Sequence, residues 1–174
     1  MSSFPNPPYI IMHYKEKDLM KYYNDNHTID ISIIQNILDQ IFEVLRWLIS
    51  KNLYYTDIKL ENFVIDTNNN EIKIYIIDLE SIILSYNNIN KEFKYSITYT
   101  WPNDPNGNQY FIDKLNMSKE EFYNSTTKEN IIKFMKCALE FIIYNLFSKL
   151  PKANDNTKII NNKYIEKCQN LFKI

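Results

Sequence analysis

Glycine is almost missing from this chain: Gly107 is the only one in 174 residues. Gly-rich phosphate loops and dinucleotide turns need several positions that take positive φ and let backbone approach phosphate, so G-x-G-x-x-G turns and Walker loops are excluded. Cysteine is nearly as scarce. Cys137 and Cys168 are too few and too far apart for a disulfide framework or a thiolate zinc site, which points to a reducing, intracellular, cytoplasmic setting. Arg46 is the lone arginine, and Lys+Arg 20 against Asp+Glu 21 leaves a net charge of -1. With no basic excess to hold a phosphate backbone, nucleic-acid binding is disfavoured. No apolar run approaches the ~20 residues that span a bilayer, and the start MSSFPNPPY lacks the basic-then-apolar pattern of a signal peptide. A soluble chain without membrane association is the expectation. His13 and His27 lack metal-ligand spacing and read as loop residues.

What is present is apolar side chain: 45% of the residues are hydrophobic, enough to bury a core, and residues 1–174 are expected to form one domain. Tyr9 to Tyr14 (YIIMHY) reads as a strand that leads into a charged connector, Lys15 to Asp18. Asp18 is placed to N-cap a short helix through about Tyr23. From Ile31 to Asn52 the apolar positions Ile33, Ile34, Ile37, Leu38, Ile41, Val44, Leu45, Leu48 and Ile49 recur at three- and four-residue steps, as one buried helical face requires, with Asp30 or Ser32 as its cap. NFVID (62–66) and EIKIYIID (71–78) have a strand pattern and flank Thr67-Asn68-Asn69-Asn70, so they predict a hairpin with a polar tip. Leu79 to Asp113, with Pro102, Pro105 and Gly107, reads as a long irregular loop. A strongly apolar helix follows over about 131–150, stopped by Pro151; the tail is polar until an amphipathic segment, Tyr164 to Phe172. The tyrosines, among them the pairs Tyr22-Tyr23 and Tyr54-Tyr55, read as core and rim packing rather than a base-stacking platform. The sum is a mainly α chain with a small β-hairpin.

Polar residues able to do chemistry gather where the long helix meets the hairpin, in Tyr54-Tyr55-Thr56-Asp57-Ile58-Lys59-Leu60-Glu61-Asn62 and again in Ile76-Ile77-Asp78-Leu79-Glu80. An acid at a helix-to-strand junction, a lysine two residues on, an asparagine five on and a second acid at the end of the hairpin fit phosphoryl transfer. The first acid orients a hydroxyl nucleophile and the lysine offsets charge on the transferring group. The asparagine and the second acid offer hard oxygen ligands for Mg²⁺. Glu61 and Glu80 read as solvated neighbours.

These residues resemble the C-terminal lobe of a eukaryotic-type protein kinase, an α+β fold. YTDIKLEN (55–62) is similar to the catalytic loop H-R-D-L-K-x-x-N, and IIDLE (76–80) to the strand that ends in D-F-G. YIIMHY, residues 9–14, then resembles the hinge strand, Ile31 to Asn52 the helix before the catalytic loop, and Thr100-Trp101-Pro102 the close of the activation segment. Residues 131–150 resemble the buried central helix. The resemblance implies Asp57 as catalytic base and Lys59 as the phosphate-facing residue of Ser/Thr-specific members, with Asn62 and Asp78 as metal ligands. It implies Met12 as gatekeeper, backbone at His13 and Lys15 on the adenine edge, Val64 as the floor of the adenine pocket, and ATP with Mg²⁺ as cofactors.

The departures from the family pattern divide the functional readings. Only Met1 to Pro8 precede the hinge-like strand, so no N-terminal lobe with its Gly-rich loop and V-A-I-K lysine is expected. After Pro151 the remaining residues are too few for the usual closing helices. Tyr55 and Thr56 replace His-Arg, Leu79-Glu80 replaces Phe-Gly, and the central helix lacks its usual starting aspartate. One reading is a Ser/Thr-type enzyme that transfers the ATP γ-phosphoryl to a protein substrate, with an N-lobe supplied by a partner chain. The alternative is a pseudokinase or decoy that binds another kinase or its substrate. An apolar patch around Ile10, Met12 and Val64 is expected to meet that partner.

Overall fold

The computed structural model describes residues 17–67, 71–84, 101–102, 105–124, 127–151 and 155–173. The chain enters through a two-residue strand, β1 (Lys17–Asp18), and turns at once into α1 (Leu19–Asp25). Asp18 accepts the Lys21 amide at 2.7 Å, which satisfies one of the unpaired N–H groups of the first turn. The long helix α2 (Ile31–Ser50) starts at Asp30, whose side chain makes no capping bond, and buries Ile34, Ile37, Leu38, Ile41, Phe42, Leu45 and Leu48. Full burial of one such side chain contributes about 1.5–3 kcal/mol, so this stripe is what holds the helix to the core. Just beyond its end Asn52 takes φ 56°, a left-handed turn that asparagine tolerates, and the chain reverses into β2 (Leu53–Tyr55).

Two small antiparallel sheets follow. β3 (Phe63–Asp66) pairs with β4 (Lys73–Ile76) in the register Phe63↔Ile76 to Asp66↔Lys73, and β1 adds to the other edge of β3. Alternation is plain in β4: Ile74 and Ile76 pack on the core while Lys73 and Tyr75 are exposed. The outer edge of β4 is covered by one side chain of α2: Gln40 donates to Ile72 O at 2.8 Å and accepts from Ile74 N at 2.9 Å. β2 pairs with β5 (Ile82–Leu84) as the second sheet. Three further helices are α3 (Pro105–Leu115), α4 (Lys119–Asn124) and the central α5 (Lys128–Ser148), whose first turn is capped by Thr127 Oγ1 on Asn130 N at 3.1 Å. The last, α6 (Asp155–Leu171), lies against α5 and α2. Among the described residues the architecture is mostly helical with small antiparallel sheets, an α+β fold of the protein kinase type.

The predicted helices over 31–52 and 131–150 and the hairpin between 62–66 and 71–78 are all present, each trimmed or extended by a few residues. Three expectations are corrected. Leu79 to Asp113 is not wholly irregular: a 3-10 turn (Leu79–Ser81), β5 and α3 occupy part of it. Pro105 opens α3, where its missing N–H costs nothing, and Gly107 is buried inside the helix. The tail becomes helical at Asp155, well before Tyr164, because Tyr164 and Cys168 are buried against the core and stabilise a polar first half. The connector before α1 contributes Lys17 and Asp18 to the sheet. The strand read at residues 9–14 lies outside the described residues.

Candidate active site

The two ladders frame the site. β3·β4 pairing sets Ile76 opposite Phe63, and the next residues continue it, Ile77 N donating to Asn62 O at 3.0 Å. β2·β5 pairing sets Ile82 opposite Tyr55, and its continuation is Thr56 N to Ser81 O at 3.4 Å. Residues 56–62 and 77–81 are therefore two sides of one closed ring, joined at each end by a strand pair. Asp57, Lys59 and Asn62 lie on the first side and Asp78 on the second.

On the first side, Asp57 is 2% exposed and Asn62 4%. A buried carboxylate needs donors, and it has them: Lys59 Nζ at 2.8 Å and Asn62 Nδ2 at 2.7 Å both meet Asp57 Oδ2. Asn62 Nδ2 also donates to the Asp57 main-chain oxygen at 2.9 Å, closing a compact turn around the 3-10 segment Leu60–Asn62. Lys59 remains 28% exposed, so its ammonium reaches from solvent onto the acid. Ile58 and Leu60 are buried between these polar residues and anchor the loop to the core. Glu61 points outward.

On the second side Asp78 is exposed and left-handed, φ 58° and ψ 55°, a conformation costing of order 1 kcal/mol or more for a residue with a Cβ. It persists because both flanks are held. Tyr55 Oη donates to Ile77 O at 2.9 Å, and Thr56 Oγ1 donates to Ser81 O at 3.0 Å. Burial, and then the negative charge of Asp57, push the Tyr55 hydroxyl far above the ordinary tyrosine range, so it stays a donor. The sequence marks Tyr55 as a packing residue and, with Thr56, as a departure from His-Arg; their hydrogen bonds in the ring, and the buried Ser81, carry no sequence signal. β2 and β5 are three residues each, too short for periodicity to register.

Of the other site residues read from the sequence, Met12, His13 and Lys15 lie outside the described residues, as does Ile10. Val64 is 8% exposed: it stands in the middle strand, flanked by β1 and β4, and so does not form the exposed patch expected there. Trp101 is buried, its ring among Phe111, Phe122 and Phe134, and its Nε1 donates to Asn108 Oδ1 at 2.6 Å. His27 is exposed.

Among the described residues no group of three or more His, Cys, Asp or Glu side chains forms a metal cluster. A magnesium ion does not require one, since it keeps waters and phosphate oxygens and takes one or two protein oxygens. Asn62, whose amide nitrogen is turned onto Asp57, has its carbonyl oxygen for such a role, and Asp78 has an exposed carboxylate. This donor set fits magnesium. No helix among the described residues is long and apolar enough to cross a membrane.

An acid, a lysine and an asparagine stand on one side of a framed ring and a second acid on the other, the pattern expected of a kinase-like protein. The family model described as protein kinase domain matches residues 3–117, more than half of the chain, and the chain belongs to that family. No curated protein matches the sequence.

Proposed function

We propose that the chain forms a single catalytic lobe of a cytoplasmic Ser/Thr-type phosphotransferase that moves the ATP γ-phosphoryl to a protein hydroxyl. The observation that carries this reading is Asp57 with Lys59 Nζ and Asn62 Nδ2 each within 2.9 Å of it, set across the ring from Asp78. Asp57 orients the substrate hydroxyl and takes its proton, its own orientation held by two donors on Oδ2. Lys59 offsets negative charge on the transferring phosphoryl, and a lysine two residues after the acid is the reason to assign Ser/Thr acceptors. Asn62 and Asp78 would hold magnesium, which when bound supplies charge neutralisation of the phosphates. Met12, backbone at His13 and Lys15, and Val64 are assigned to the adenine.

A second reading, a regulatory lobe that docks on another kinase or its substrate, is favoured by Leu79, a large apolar side chain 52% exposed at the rim of the ring. Calorimetric titration with ATP, with and without Mg²⁺, separates the two. The enzyme reading expects heat that requires both the metal and Asp78, lost in Asp78→Asn. Absence of heat at millimolar ATP contradicts it and favours the docking reading.

A further inference from the structure

We infer that the open cavity between the C-terminal halves of α2 and α6 binds a phosphate monoester, held by Arg46 and Lys167. The cavity measures about 430 Å³ and is lined by Arg46 of α2 and by Lys167, Asn170 and Leu171 of α6, none of them a residue of the ring. Three contacts bring the two helices together. Tyr164 Oη donates to Gln35 O at 3.2 Å, the Tyr164 ring lies 6.0 Å from that of Phe42, and Lys167 Nζ pairs with Asp39 Oδ1 at 2.7 Å. These contacts advance along both helices in the same direction, so α2 and α6 run side by side and the cavity opens at their C-terminal end.

Arg46 is the chain's one arginine, and among the described residues no carboxylate pairs with it. Its guanidinium stays charged and offers a planar fork of N–H donors that matches two oxygens of a phosphate. Lys167 stands on the facing helix. Asp39 takes one of its three donors and the Tyr164 ring lies 4.7 Å from Nζ, which fixes the ammonium at the cavity wall. Counting Asp39, one positive charge is left over at the cavity for an anion to neutralise. Donors on two walls suit a tetrahedral group, whose oxygens point in several directions, better than a planar carboxylate. Asn170 adds a neutral amide and Leu171 an apolar wall, and the volume is that of small-molecule sites, roughly 300–1,000 Å³, so the organic part of an ester fits beside the leucine. The carbonyl ends of both helices work against an anion, but that effect falls off within the last turn and is screened at a surface. Two full charges with directed N–H groups outweigh it. A phosphorylated side chain and a free small phosphate ester share this chemistry, and the test separates them.

The lone arginine supplies the readout, because the ¹⁵N-labelled chain gives a single arginine Nε–Hε resonance and it belongs to Arg46. That resonance is followed at about pH 6.5, above the second phosphate pKa of ~6, while phenyl phosphate is added at constant ionic strength. It should shift to saturation, whereas chloride and acetate should leave it in place. Lys167→Gln should weaken binding about 10-fold or more, as loss of one charge-assisted hydrogen bond does, and Asp39→Asn should tighten it by removing the competing carboxylate. Both side chains are partly exposed, so neither substitution disturbs the core. A phosphoserine peptide that binds about 10-fold tighter than phenyl phosphate upholds the site and identifies its ligand as a protein segment; equal affinity upholds it for a small ester. A shift that never saturates, one that chloride or acetate reproduces, or a saturable shift indifferent to both substitutions overturns the inference. The readout lies outside the ring, so the outcome is independent of the phosphoryl-transfer reading.

Discussion

Asn62 holds Asp57 and is also the residue proposed to take magnesium, and the stability of the ring depends on the first of these. Its Nδ2 donates twice to Asp57, a carboxylate 2% exposed, so Asn62→Ala strips donors from a buried charge. Such a loss costs about 1–3 kcal/mol, and urea denaturation should show it as a lower midpoint with an unchanged slope. A midpoint equal to wild type would mean that Lys59 alone satisfies the acid. The two thiols test burial at the same scale. Cys137 is raised by burial, and then by the nearby charge of Glu140, from 9.0 to about 12. Both cysteines are buried and free, so a thiol reagent at pH 8 should react with neither in the native chain and with both after denaturation. Rapid labelling without denaturant would contradict the packing of α5 against α6.

Among the elements, the edge of β4 carries a specific device. A strand edge is open to pairing with another chain, and here the Gln40 amide meets it with one donor and one acceptor, as a neighbouring strand would. Gln40→Leu keeps the size and removes both bonds. The variant should lose about 1–2 kcal/mol and gain concentration-dependent association in light scattering; a monodisperse variant of wild-type stability would show that the edge needs no cover. Gln40 was invisible in the sequence because a polar residue inside an amphipathic helix carries no sign of its partner. The apolar stripe of α2, by contrast, was legible apart from Phe42, with Ile33, Val44 and Ile49 at its half-buried margins, since a three-to-four spacing over 20 residues has few other meanings. The candidate site was legible only as residue types: Asp57, Lys59, Asn62 and Asp78 stood out through family spacing. The ring that brings them together was not, because it is made by β2·β5, whose strands are apolar triplets. α3 was hidden for a related reason, as Pro105 and Gly107 read as breakers although the first is a favourable helix start.

At the scale of the molecule, helices α3, α4 and α5 meet in one aromatic cluster around Trp101, with ring centroids 5.6 Å from Phe111, 6.0 Å from Phe122 and 6.1 Å from Phe134. Trp101→Ala should cost about 3–5 kcal/mol, which for a marginally stable chain means unfolding near body temperature. Thermal denaturation checks it, and a Trp101→Phe variant that recovers much of the loss would identify packing as the cause. Alkaline stability follows from the buried hydroxyls and thiols. Tyr55, Cys137 and Cys168 are all raised, chiefly by burial, so the native chain keeps protons that the unfolded chain releases. Their contribution is full below about pH 9 and is lost as pH climbs, each released proton lowering stability by about 1.4 kcal/mol per pH unit. Urea midpoints should therefore fall steeply between pH 9 and 11, and a flat profile there would contradict the burial of these groups.

The central claim is that the framed ring performs phosphoryl transfer, and its most direct test is transfer of the labelled γ-phosphoryl of ATP to a panel of serine, threonine and tyrosine peptides. The wild-type chain with Mg²⁺ should label serine and threonine peptides and spare tyrosine, with the label lost in Asp57→Asn and in Asp78→Asn while both variants keep the wild-type circular dichroism. Labelling that survives Asp57→Asn, or a wild-type chain that binds magnesium and ATP yet labels nothing, would contradict the account.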